Sequence, residues 1–162
     1  MAGACTPFED LTIRQNTYLY WLDGKLSYEE KRNLDLMEKQ RAKVKSPELS
    51  LSTSTSELPF NLPASYWLNL RGYNPALVAQ KISKPFLILQ GDRDHIVTEI
   101  DFKVWQDALS KRKDVTFKFY PGLNHLFIYG KGKPSLEDYL IPGHVDEIVI
   151  NDIVLWIKKQ IK

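Results

Sequence analysis

The sequence predicts an α/β fold with few parallel strands flanked by helices, and three observations carry that prediction. The first is an unbroken apolar run at residues 86–89 that stops at Gly91. It lacks the polar alternation of a half-exposed strand, so both of its faces should be covered, as in a parallel sheet. The second is a strand-like run at 115–120, alternating apolar and polar, which ends at Pro121-Gly122. The third is the set of helical periodicities around these runs, above all Ile150, Ile153, Val154, Ile157 and Ile161.

Taken in order, residues 8–22 place Leu11, Tyr18 and Leu19 on one helical stripe, which Asp23-Gly24 terminates. Ser27-Tyr-Glu-Glu30 then offers a capping box: the serine accepts from the third helical amide and the glutamate reaches back. The helix it starts, to about residue 45, has sparse apolar positions and should lie on a surface. Residues 46–57 are rich in Ser and Thr without periodicity and read as a flexible loop. Residues 63–70 read as a helix, with proline in its first turn and Gly72 at its end. Beyond the first strand, Thr98 starts a further helix with a buried stripe of Phe102, Trp105 and Leu109. The isoleucine-rich stripe of the last helix should pack on the sheet, with Lys158, Lys159 and Lys162 at its favourable carboxyl end.

Function in such sheets gathers at the carboxyl ends of the strands. The first strand leads into Gly91-Asp-Arg-Asp94-His-Ile-Val97, and the second into Tyr120-Pro-Gly-Leu-Asn-His125. Two adjacent parallel strands would therefore present Asp94 and His125 side by side. These segments resemble the G-x-x-D-x-x-V and P-G-x-x-H segments of the α/β-hydrolases, which carry the triad acid and histidine. The 31 positions from 94 to 125 leave room for one helix and one strand, as that family requires.

The resemblance covers effectively all of this chain but about the second half of such an enzyme. It implies that residues 1–7 are the end of a core strand, that 8–73 form a helical lid containing the loop 46–57, and that 74–162 form the carboxyl-terminal core segment. It further implies a serine hydrolase acting on a small-molecule ester, with amides as related substrates, in which His125 is the base and Asp94 its orienting acid. No serine here stands in the G-x-S-x-G pattern of the family's nucleophile elbow. The expectation is therefore the carboxyl-terminal portion of an enzyme, inactive alone. The alternative is a non-catalytic α/β interaction module derived from a hydrolase.

Asp92 competes for the role of acid, but the family spacing favours Asp94, and Asp92 suits a turn. Arg93 reads as a solvated charge. His95 is a tentative pocket residue, as are Tyr66 and Trp67 among the lid aromatics, whose bland reading is packing. His144 reads as a helix-entry residue.

Composition excludes several classes. With 43% hydrophobic and 26% charged residues the chain is ordinary globular material. Its 22 basic and 20 acidic residues are well mixed, which gives no electrostatic case for nucleic acid. No apolar run has the length of a membrane helix. A lone cysteine, Cys5, and the absence of clustered His and Cys predict a cytoplasmic protein with no disulfide, metal or cofactor. An apolar strand with few neighbours to cover it predicts self-association through an exposed sheet edge.

Overall fold

The computed structural model describes residues 3–161, which form two compact units. The first, Thr6–Asn74, is helical. Helix α1 spans Phe8–Tyr20 and α2 spans Tyr28–Lys45. The capping box that opens α2 is complete: the Ser27 hydroxyl accepts the Glu30 N–H at 3.2 Å, and the Glu30 carboxylate accepts the Ser27 N–H at 2.8 Å. Helix α3, Ala64–Leu70, starts after Pro63, and the chain then turns through Gly72 at φ +74°. Val44, Leu49, Leu58, Ala64 and Trp67 form the core of this unit, with Phe8 stacked on Trp67 at 5.8 Å.

The Ser/Thr-rich stretch 46–57 is more ordered than its composition implies. It forms consecutive turns and a short 3₁₀ helix, Thr55–Glu57, with Leu49 buried. Periodicity misses this because a single leucine, rather than a stripe, ties the stretch to the core.

The second unit comprises residues 3–5 with 75–161. Helix α4, Pro75–Gln80, precedes strand β1, Phe86–Gly91; helix α5, Glu99–Leu109, precedes strand β2, Val115–Tyr120; helix α6, Glu147–Gln160, follows. The strands pair in parallel, in register from Phe86 opposite Val115 to Gly91 opposite Tyr120. Successive side chains of β1 point to opposite faces. Ile88 accordingly enters a cluster with Ala79, Phe102 and Leu109, while Leu89 enters another with Tyr120, Leu123 and Val149.

Three sequence expectations change here. Residues 1 and 2 of the expected strand end lie outside the described residues, and residues 3–5 form no strand; the Cys5 N–H instead donates to the Asp101 carboxylate at 2.8 Å. Helix α4, a single short run, was not foreseen. The last correction concerns α6, which turns Val149, Ile153 and the half-buried Trp156 inward, so that Ile150, Val154, Ile157 and Ile161 stay exposed. The helix is apolar on more than one face, and periodicity alone does not choose between them. Lys162 lies outside the described residues.

Candidate active site

The carboxyl ends of β1 and β2 are joined by a short set of bonds. The Asp92 N–H donates to Tyr120 O at 3.1 Å, and the Arg93 N–H donates to Leu123 O at 3.0 Å. In return, Asp92 Oδ1 accepts the Gly122 N–H at 2.6 Å. This spends Asp92 on the turn and leaves Asp94 to the histidine.

Gly91 makes the close approach sterically feasible. A Cβ at this position would stand 2.8 Å from the Leu123 carbonyl carbon and closer still to its oxygen.

The Nδ1–H of His125 donates to Asp94 Oδ2 at 2.8 Å. A carboxylate only accepts, so the bond places the proton on Nδ1 and leaves Nε2 as the basic nitrogen. The Asp94 side chain is 1% exposed and that of His125 30%, so the acid is sealed while the base still meets solvent. Asp94 Oδ1 accepts from the main-chain N–H groups of Ile96 and Val97 at 2.9 and 2.8 Å. Both oxygens of the buried carboxylate are therefore satisfied, and its orientation is set by its own loop. The hydrogen bond to Asp94, opposed by burial and reinforced by the charge of Asp94, raises the His125 pKa above its ordinary value.

His125 in turn stands on a loop organised by Asn124, a role that no sequence motif marks. The Asn124 side chain is 2% exposed, and its Oδ1 accepts from the Leu126 and Ile128 amides at 2.9 and 3.1 Å. The main chain of Asn124 closes the same loop, its N–H donating to Ile128 O and its carbonyl accepting from the Phe127 N–H. The turn is tight enough to hold Phe127 at φ +58°, a region that bulky residues rarely adopt. A carboxamide beside a turn that follows a strand was the available signal.

Arg93 is not solvated. Its side chain is 9% exposed and pairs with Asp138 at 3.0 Å, a partner too distant in sequence for local patterns to reveal. His95 is buried beside Tyr139, ring centroids 5.8 Å apart, and burial lowers its pKa. His144 is exposed just before α6. Tyr66 and Trp67 belong to the helical unit. Tyr66 is partly exposed, whereas Trp67, expected at a pocket wall, is 1% exposed and fills the core between α2 and α3.

Cys5 offers no substitute nucleophile. Burial, with the charge of Asp101 second, pushes its thiol up to about 12, and the thiolate is the reactive form. Among the described residues no group of three His, Cys, Asp or Glu side chains is placed to hold a metal, and no helix is long and apolar enough to cross a membrane.

A parallel strand pair that delivers a buried acid onto a histidine defines an α/β-hydrolase-like arrangement. The dienelactone hydrolase family model matches residues 64–144, a span that includes Asp94 and His125, and the chain belongs to that family, within the α/β-hydrolase superfamily. It is 35% identical over 159 residues to Esterase EstD of Thermotoga maritima, an alignment covering 98% of this chain and 36% of that protein. The chain thus spans about a third of the length of this curated relative. No solved structure matches significantly.

Proposed function

We propose that this chain supplies the acid and base of a serine hydrolase acting on small carboxylic esters. The observation that carries the reading is the 2.8 Å bond between His125 Nδ1 and the sealed Asp94 carboxylate, which leaves Nε2 of the partly exposed imidazole as the basic nitrogen. A nucleophilic serine and its oxyanion donors would come from sequence outside these 162 residues, since no G-x-S-x-G occurs within them and the esterase relative is much longer. In the complete site, Nε2 takes the serine proton as Oγ bonds to the ester carbonyl carbon. The tetrahedral intermediate then expels the alcohol, which leaves with that proton, and water attacks the acyl-serine by the same relay. Asp94 holds the imidazole in one tautomer and stabilises its charged form.

On this reading, residues 8–73 correspond to the helical lid of such enzymes and 74–162 to part of the catalytic core. The exposed row Ile150, Val154, Ile157 and Ile161, together with a sheet that has two strands among the described residues, favours association of the isolated chain with itself or with further core.

The absence of a nucleophile elbow in this sequence favours a second reading, a non-catalytic interaction module derived from a hydrolase. The two part in one experiment on p-nitrophenyl acetate. The 162-residue chain alone is expected to give no turnover above its His125→Ala variant. A longer protein in which a G-x-S-x-G segment precedes this chain is expected to turn over ester and to lose at least about a thousandfold in kcat on His125→Ala. Turnover by the longer protein that survives His125→Ala, or turnover by the isolated chain that depends on His125, overturns the first reading.

A further inference from the structure

Arg93 joins the acid loop to a segment far along the chain. Its Nε donates to Gly132 O at 3.2 Å, and its Nη2 donates to Lys131 O and to Asp138 Oδ2, both at 3.0 Å. Space for the guanidinium exists because residue 130 is glycine, where a Cβ would overlap Nη1. The same Asp138 oxygen accepts the Ser135 N–H at 3.1 Å, closing a capping box on the short 3₁₀ helix Leu136–Tyr139. The ion pair therefore fixes the turn whose last residue is Tyr139.

That tyrosine lies beside the loop that carries Asp94. Its ring contacts His95, the neighbour of Asp94. Its hydroxyl is buried without a completed hydrogen bond among the described residues, and a buried polar atom of that kind calls for an explanation. The main-chain N–H of His125 faces it, and Asp94 and Asp138 are near enough for their charges to act on it. The other amides of the histidine loop are already taken, those of Leu126 and Ile128 by Asn124 Oδ1 and that of Phe127 by Asn124 O.

We infer that Tyr139 is a positioning residue for His125: its hydroxyl oxygen receives the His125 main-chain N–H, and the Arg93–Asp138 pair holds it there. The nearby carboxylates of Asp94 and Asp138 favour the protonated hydroxyl, and its oxygen lone pairs remain able to accept from the amide. Burial, with Asp94 and then Asp138 adding to it, pushes the phenol up to about 12, so it stays protonated at neutral pH. Hydrogen bonds in resting sites are often loose and tighten when the site is engaged. The catalytic meaning of this contact rests on the hydrolase reading; the contact itself does not.

The test uses the isotope-labelled 162-residue chain and its Tyr139→Phe variant, followed by NMR. The His125 amide is expected to exchange about tenfold faster in the variant, the effect of losing one hydrogen bond. The His125 ring titration should move down toward the ordinary value as its bond to Asp94 loosens. Asp138→Asn, which keeps the shape but removes the charge facing Arg93, should reproduce both effects and decides the matter if Tyr139→Phe does not fold. Unchanged exchange and titration of His125 in whichever of these variants folds would overturn the inference, as would changes spread evenly over the sheet. In the longer, serine-containing protein, Tyr139→Phe should lower kcat, leave KM unchanged and shift the acid limb of the pH profile. Should that protein lack esterase activity while the NMR effects hold, the hydrolase reading fails and the positioning contact stands.

Discussion

Replacing Gly91 with alanine adds one methyl group where two loops nearly touch. Gly91 has an ordinary backbone conformation, so alanine meets no φ/ψ penalty and the effect is steric. The new Cβ would lie 2.8 Å from the Leu123 carbonyl carbon, whereas ordinary contact begins at 3.4 Å, so the histidine loop must withdraw by at least 0.6 Å. That carbonyl is also bonded to the Arg93 N–H at 3.0 Å, which resists the movement. Added to a 2.8 Å bond, a shift of this size carries His125 Nδ1 and Asp94 Oδ2 beyond the usual N–H···O range of about 2.7–3.2 Å. Overpacking of this kind costs about 1–3 kcal/mol of stability, read as a lower urea midpoint at unchanged slope. The His125 pKa should fall as the bond that raises it weakens. In a serine-containing protein, a misplacement approaching 1 Å is worth about a hundredfold in rate. A Gly91→Ala chain with the wild-type urea midpoint and an unmoved His125 titration would refute the reasoning.

Two buried or half-buried histidines should titrate in opposite directions, which NMR can follow on the same sample. The raised His125 pKa contributes stability that is fully present below its ordinary value of about 6.5 and is lost as pH rises through the folded pKa, and Asp94→Asn should abolish this contribution. The lowered His95 pKa has the opposite sign: stability is lost as pH falls from about 6.5 toward the folded value. Arg112 clamps the entry to β1 by donating to Ala79 O, Ile82 O and Lys84 O at 2.6–2.9 Å while forking onto Asp114. Arg112→Lys keeps the charge but not the fork, so the urea midpoint should drop; an unchanged midpoint would show that the clamp is dispensable.

The meeting of Asp94 and His125 was legible in the sequence because each half of it is local: an apolar strand, a turn glycine, then the residue itself. The parallel pairing followed from the unbroken apolarity of β1, and the capping box of α2 from four consecutive letters. What could not be read was long-range or degenerate. Arg93 and Asp138 meet only after the chain has passed through α5 and β2, so nothing near residue 93 announces the ion pair. Helix α6 carries two apolar stripes, and only the position of β2 selects Val149 and Ile153 for burial. The role of Asn124 is exercised on main-chain amides, which a sequence pattern does not display.

The hydrogen bonds that orient Asp94 and His125 come mostly from each residue's own loop. Ile96 and Val97 set the carboxylate, Asn124 shapes the turn that carries the imidazole, and the register of two strands brings the loops together. Precision of this sort is inherited with the segment itself, as a tuned instrument keeps its pitch when moved to another room. Drift in distant surface residues or a new neighbour on the exposed side of α6 can leave the pair in tune. Substitutions within 91–97 and 122–128 have no such latitude, and variation among natural versions of this chain should be sparsest there.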